Sequence, residues 1–521
     1  MVDCPDLNTL QKTLETLPET LNDTYTKILR SIPALYKPTA IRILQLLTFS
    51  ERPLTVEEAI DAIAVDLEKD PHFNPSYRMF NPTEILCYCS SLVVVVPVEG
   101  HSHGDDNERQ ELQIAHSSVK EYLRSAQIDS DVAQDFQEIT AKPLIATVCL
   151  AYLLHLDMEL PTEEIRVTFP FAQYCAMYWM AHAVVAEDKD KRLQAFIKKF
   201  FRNRKGSYRN CYSLYRPDQP WNDNSIDIME ELPSALYYTS YGGLVNRVKY
   251  LLIQGSDVNA QGGEYGNALQ AASLNGHDQI VQQLLEKGAD VNAQGGEYVN
   301  ALQAALVNGH NQIVQQLLEK GADVNAQGGW YGNALQAASF KGHDQIVQQL
   351  LEKGADVNAQ VGRYGNALQA ASFNGHNQIV QQLLEKGADV NAQGGPYGNA
   401  LQAASVNGHD QIVQQLLEKG ADVNARGERY GNALHAASVK GHNQIVQQLL
   451  EKGADVNAQG GRYGNALQAA SLKGHDQIVQ QLLEKGADVN AQGGEYGNAL
   501  QAASFNGHNQ IVQHLLKASR S

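Results

Sequence analysis

The sequence predicts a mainly α-helical chain, with a helical N-terminal half and then a solenoid of about nine stacked repeats. Three observations predict it. The unit YGNALQAASLNGHDQIVQQLLEKGADVNAQGGE, residues 265–297, recurs almost unchanged to the C-terminus. Its opening Asn stands at 267, 300, 333, 366, 399, 432, 465 and 498, so every step is 33 residues. A worn copy comes first, with Ala235–Leu236 in register with Ala268–Leu269 and IQGSDVNAQ matching EKGADVNAQ. A strict period of this length marks stacked units that bury their faces on one another. Second, apolar residues inside each unit fall at helical spacing. Third, 521 residues are too many for one core, so two or three domains are expected.

The unit can be built from its letters. Asn267 caps a helix, its side-chain oxygen accepting an N–H of the first turn. ALQAAS is a short helix of small residues that lets a neighbour approach, and Gly276 breaks it. A second helix over about Asp278–Lys287 carries Ile280, Val281, Leu284 and Leu285 on one stripe. Gly288 stands where a helix end wants a left-handed residue. GADVNAQGGEYG has too much Gly, Asn and Asp for a helix and reads as a turn or finger. These features resemble the ankyrin repeat. GHDQIVQQLLEKGADVNA matches that family's second half closely, while Asn-Ala-Leu-Gln replaces its usual Thr-Pro-Leu-His opening and only His435 keeps the histidine.

Nearly all variation among the eight good copies is at a few places. The residue before the finger Tyr is Glu264, Glu297, Trp330, Arg363, Pro396, Arg429, Arg462 or Glu495. The two residues before Gly-His pair Leu, Val or Phe with Asn or Lys; Phe340, Lys341, Phe373, Lys440, Lys473 and Phe505 are among them. Fixed positions are explained by core and turns, whereas Glu, Trp, Arg and Pro at one site imply an exposed place. The ankyrin resemblance implies that fingers and first helices line one concave surface that holds a protein partner. These residues are therefore the candidate partner-binding set. The residue after the His alternates between Asp and Asn, which reads as duplication in pairs. Val299 replaces the Gly of the other seven copies, and a β-branched side chain is strained there if that Gly has positive φ.

Net charge is −17, with −12 over residues 1–231 and −5 over 232–521, so neither half is a basic nucleic-acid platform. Six cysteines, Cys4, Cys87, Cys89, Cys149, Cys175 and Cys211, precede the repeats with neither disulfide-framework nor CxxC spacing. The longest apolar run, PLIATVCLAYLLHL, is short of a membrane span. With no secretory leader, a reduced cytoplasmic protein is expected, the nucleus being the other compartment open to it.

The N-terminal half is helical through residues 1–36 and again over Thr39–Phe49. Thr55 and Glu58 form a capping box for VEEAIDAIA. Asn81-Pro82-Thr83-Glu84 starts a third helix, ending near Ser90. SLVVVVPV and ELQIAH are strands around the loop EGHSHGDDNERQ, and SSVKEYL is a helix. This is a winged-helix order. Reading DNA requires Lys or Arg on the third helix and wing; TEILCYCSS has none, and the wing carries Asp105, Asp106 and Glu108. Nine basic residues between Lys189 and Arg209, interleaved with Phe196, Phe200, Phe201 and Tyr208, read as a solvated amphipathic helix. The expected domains are a helical segment 1–36, a winged helix 37–130, a helical domain 131–204, a junction 205–233 and repeats 234–521. Limited proteolysis is expected to cut first in the junction.

LPETLNDTYTKILRSI, RPLTVEEAIDAIAVD, CSSLVVVV, IAHSSVKEYL and FPFAQYCAMYWMAHA resemble the region after the NACHT ATPase in fungal NOD-like (STAND) receptors. The winged helix is also similar to that of GPI-inositol-deacylase-like proteins. A NACHT ATPase needs GxxxxGK[ST] to hold phosphates, and the chain has no Gly-Lys-Ser or Gly-Lys-Thr. The resemblance implies a receptor fragment whose ATPase is missing or acts in trans. It also puts His116 where such receptors sense a nucleotide phosphate, although Ala115 and Ser117 replace the flanking Met and Asp; a plain helix-start histidine is the other reading. Gly100-His101-Ser102-His103-Gly104 fits GxSxG, but a hydrolase elbow needs a helix directly after the Ser within a βα sheet, and DDNERQ supplies none. The histidines at 277, 310, 343, 376, 409, 442, 475 and 508 come one per layer with no second ligand, so they read as turn residues and not a metal site. No catalytic residue, cofactor or metal is expected. A non-enzymatic partner-binding array is the leading expectation, a STAND sensor fragment the second, and a serine hydrolase the remote third.

Overall fold

The computed structural model describes residues 20–89, 91–97, 110–157, 160–204, 206–221, 232–427 and 429–520. It divides into two compact units, Met1–Ser256 and Asp257–Ser521.

In the first unit, helix α1 spans Leu21–Ser31, capped by the Thr20 hydroxyl, and α2 spans Lys37–Phe49 with Pro38 in its first turn. α3, Val56–Ile63, begins at the predicted capping box: Thr55 Oγ1 accepts from the Glu58 N–H at 3.2 Å, and Glu58 accepts from the Thr55 N–H at 2.9 Å. Two features differ from the sequence reading. The third helix is a 3-10 helix, Pro82–Tyr88, because a short run with Thr, Ile, Cys and Tyr has little α propensity to sustain it. The sheet has three strands. Strand β1, Leu54–Thr55, pairs antiparallel with β3, Gln110–Ile114, which pairs with β2, Val93–Pro97. A two-residue strand carries no alternation to read. α4, Ser117–Leu123, follows β3 directly. The wing loop, with the GHSHG motif and Asp105, Asp106 and Glu108, lies outside the described residues, as does the segment 1–19.

The rest of this unit packs on α5, Glu138–His155, which is buried along most of its length. Phe171, Tyr174, Trp179, Phe200 and Tyr208 are fully buried around it. The predicted amphipathic helix is Lys191–Arg202: Leu193, Phe196, Ile197, Phe200 and Phe201 are buried and the Lys and Arg side chains border solvent. No helix among the described residues is long and apolar enough to cross a membrane.

The second unit is a stack of helix pairs. In the first full copy the helices are Ala268–Asn275 and Asp278–Glu286, and the pattern repeats to Asn509–Ala518. Asn267 caps the first helix, its Oδ1 accepting the Gln270 N–H at 3.0 Å. Gly276 ends it at φ 78°, a left-handed residue where any other costs about 1 kcal/mol or more. The first helix is buried on nearly every side, whereas the second buries Ile280, Val281 and Leu284 and leaves its Gln side chains outward. Burying such an apolar side chain contributes about 1.5–3 kcal/mol.

Polar ladders then join each layer to the next. Gln270 Nε2 donates to the carbonyls of Ala293, Gly295 and Val299, and Gln336 and Gln369 make two of these bonds each, two and three layers on. Asn259 donates to the Gly288 carbonyl at 3.3 Å and accepts the Asp290 N–H at 2.8 Å, a pair of bonds that recurs through Asn457. The repeated histidines are a third ladder. His310 Nε2 donates to the Leu274 carbonyl at 2.9 Å, and His376, His409, His442, His475 and His508 do the same to the copy before them. Gly276 makes room for this, since a Cβ there would lie 2.6 Å from the His310 ring. The Asp/Asn alternation also has a structural side: Asn311, Asn377 and Asn443 donate to Gln345, Gln411 and Gln477 of the next copy. Asp at that place has no donor.

Candidate interaction surface

The variable positions come together where each finger meets the end of the first helix. The finger Tyr of one copy stacks against the residue that ends the first helix of its own copy or the copy before. Tyr331 lies 5.6 Å from Phe340, Phe340 4.5 Å from Tyr364, Tyr364 5.7 Å from Phe373, and Phe373 4.6 Å from Tyr397. Trp330 meets Tyr331, Phe340 and Tyr364 edge-on at 5.2, 6.4 and 5.7 Å. It remains 52% exposed, which leaves a large ring face for a partner. The result is a row of six aromatic rings over three layers. Such pairs prefer edge-on and offset contacts, which fixes each ring in place before anything binds.

Cations flank the row. Arg363 sits over the Trp330 ring at 5.3 Å, Lys341 over Tyr331 at 5.9 Å, and Arg429 over Tyr397 and Tyr430 at 5.8 and 5.5 Å. Further along, Lys473 lies over Tyr463 at 5.5 Å. Arg363, Arg429, Lys341, Lys440 and Lys473 are all exposed and make no ion pair among the described residues. Arg462 differs, because it pairs with Glu495 at 2.7 Å. Pro396 is exposed between Arg363 and Arg429, and Phe505 is exposed beside Tyr496 at 5.2 Å. Glu264 and Glu297 belong to the first two full copies, away from the row, where Tyr265 stacks on Tyr298 at 5.7 Å.

The structure also shows what Lys in place of Asn costs. Asn308, Asn374, Asn407 and Asn506 donate to a carbonyl of the preceding copy at 2.7–2.9 Å. Lys341, Lys440 and Lys473 occupy the same place and make no such bond. Sequence reading missed the Tyr residues of the row, because an invariant Tyr reads as core; their period of 33 beside variable aromatics was the available signal.

His116 caps α4, its Nδ1 accepting the Ser118 N–H at 3.2 Å. It lines a cleft of about 380 Å³ with Arg52, Gln113, Ser117 and Lys120. Among the described residues no three His, Cys, Asp or Glu side chains are grouped to hold a metal.

Comparison with known proteins gives two family matches. A model described as ankyrin repeats (3 copies) matches residues 206–295, 236–328, 302–394, 335–427, 367–460 and 434–520. A model of the GPI inositol-deacylase winged helix domain matches residues 29–135. The chain is 38% identical over 289 residues to azaphilone pigments biosynthesis cluster protein L of Monascus ruber, covering 52% of this chain and 59% of that relative. The chain thus spans about three-fifths of that relative's length. The crystal structure of the human ASB11 ankyrin repeat domain is similar at 28% identity and a TM-score of 0.39, over 43% of this chain and 99% of that one.

Proposed function

Because this chain belongs to the ankyrin-repeat family, we propose that it is a non-enzymatic scaffold, cytoplasmic in location, that holds a protein partner on the concave face of its array. The observation that supports this is the division of labour among positions. The invariant Gln of the first helix, Asn of the finger and His of the turn join the layers, while the freely varying residues gather beside a preformed aromatic row. Aromatic and Arg side chains in rigid surroundings are the usual anchors of protein interfaces. Trp330 and Arg363, stacked on one another, are the central pair. Once a partner has been isolated and its affinity measured, Trp330→Ala and Arg363→Ala should each weaken binding by about 1–3 kcal/mol. Unchanged affinity in both, with loss on Gln282→Ala and Gln283→Ala of the outer helix, would reject this face.

A second reading treats the chain as the sensor part of a STAND-type receptor whose NACHT ATPase acts in trans. The winged-helix match and the place of His116 at the helix start beside Arg52 and Lys120 favour it. Co-purification of the full chain with a P-loop ATPase, lost on His116→Ala, would support it. A hydrolase reading rests on GHSHG alone, and turnover of p-nitrophenyl acetate that Ser102→Ala removes would be needed to revive it.

A further inference from the structure

The charges along the variable surface are segregated. Glu264 and Glu297 mark the first two full copies. From Trp330 to Lys473 the positions before the finger Tyr and before Gly-His hold six cations, Lys341, Arg363, Arg429, Lys440, Arg462 and Lys473, and no carboxylate; Glu428, next to Arg429 in sequence, and Asp344 and Asp410 after the His are the acidic exceptions at other varying places. Among the described residues only Arg462 of these cations is neutralised, by Glu495. This occurs in a chain of net charge −17, so the cationic face is not a by-product of composition. Three of the cations also displace an Asn that makes an inter-layer hydrogen bond elsewhere in the array. A position that breaks the local rule of its own repeat is where function is to be sought.

Resting on the scaffold reading above, we propose that this stretch selects an acidic, extended segment of a partner protein. Packed helices lie about 8–10 Å apart, so the four steps between the layers of Lys341 and Lys473 span about 32–40 Å. An extended chain rising about 3.3 Å per residue covers that distance in about 10–12 residues, with carboxylates about three apart meeting the cations of four of the five layers, the Pro396 layer holding none at these positions. Apolar side chains between them lie on Trp330, Phe340 and Phe373. The cations already stacked on rings lose little freedom on pairing, so a carboxylate meets a preset donor. A nucleic acid is the poorer occupant. It carries a charge at every nucleotide, whereas the cations here are spaced about a layer apart and are missing from the Pro396 layer, so most phosphates of a continuous polyanion would meet no cation.

The test uses the full chain and fluorescence anisotropy. The probes are a labelled twelve-residue peptide with Glu at every third position and Phe and Ala between, its Gln-for-Glu analogue, and a single-stranded DNA of twelve nucleotides. The Glu peptide should bind at least about tenfold more tightly than the Gln peptide and weaken as NaCl rises. Arg363→Glu with Arg429→Glu should reduce its affinity by about tenfold or more while the circular-dichroism melt stays unchanged. Equal affinity for the two peptides, no binding of either, or preference for the DNA overturns the proposal. If the peptides bind equally and both are lost with Trp330→Ala, acid selection fails and the scaffold reading stands. If Glu-peptide binding survives both the charge reversal and Trp330→Ala but is lost with Gln282→Ala and Gln283→Ala, the scaffold face falls too.

Discussion

Val299 has φ 68°, and among the described residues it is the one non-glycine with positive φ. The equivalent Gly266, Gly332 and Gly365 lie at 95°, 94° and 86°. The repeat backbone therefore dictates the conformation, and a β-branched side chain is forced into it. Val299→Gly should raise the stability of the array by about 1 kcal/mol, the relief of strain exceeding the entropy cost of an added Gly. A urea midpoint that stays put or falls would show that Val packing against Gly328 offsets the strain. His435 is a second local exception. It stands where other copies have the Gln that bonds the next layer, it is buried, and neither ring nitrogen has a hydrogen-bond partner. Burial pushes its pKa down to about 4, below the ordinary 6.5. The fold thus tolerates only the neutral ring. Its contribution to stability is intact above pH 6.5 and is lost as pH falls from there through 4. The loss amounts to about 2 kcal/mol at pH 5. His435→Gln should abolish that part of the acid sensitivity and add a bond to the next layer, which melting at pH 7 and pH 5 would read. Equal acid losses in both proteins would mean that other groups govern it, and His182, also held at about 4 by burial, is the first of those.

At the scale of the helix pair, the caps and breaks were legible because their causes are local. Asn267, Gly276 and the Thr55–Glu58 box act within four residues, and each behaves as its letters imply. The ladders were not legible, because their partners lie 23–36 residues away and are backbone groups, which have no letter. The same holds for the interaction surface. The variable residues could be picked out by comparing copies, but the Tyr331–Phe340–Tyr364–Phe373–Tyr397 row arises only when layers stack. Knowing the ladder gives a graded prediction. The Phe340 carbonyl receives both His376 and Asn374, whereas the Val406 carbonyl receives only His442, since Lys440 stands where Asn would be. His442→Ala should therefore cost about 1–2 kcal/mol, and His376→Ala about half as much. Equal costs would mean that the imidazole contributes by packing and not by its bond.

On the scale of the whole array, stability is close to a sum of layers and the seams between them, so one poor seam divides it into two blocks. The seam after the copy that begins at Tyr298 combines several defects. Val299 is strained. Gln303 Nε2 donates one bond, to the Ala326 carbonyl at 3.3 Å, where Gln270 Nε2 donates three and those of Gln336 and Gln369 donate two each. Leu306, fully buried, replaces the buried Ser of the neighbouring first helices, and that helix ends one residue early at Val307. A larger side chain between close-packed small ones strains the packing of the first helices. Local opening should start here, because protection from exchange tracks how much packing and bonding must be broken. In native-state hydrogen exchange, amides of residues 301–307 should exchange faster than their equivalents at 367–373, and the double change Val299→Gly with Leu306→Ser should narrow the gap. The aromatic row begins at this seam, with Trp330 as the last residue of the copy that begins at Tyr298, and its other five rings lie in the better-joined block. A partner bound on that row should then slow exchange at 334–341 and 367–374 and leave 301–307 nearly as fast as before. Equal protection of both sides would show the seam to be no weaker than the rest, and the array would open as one body.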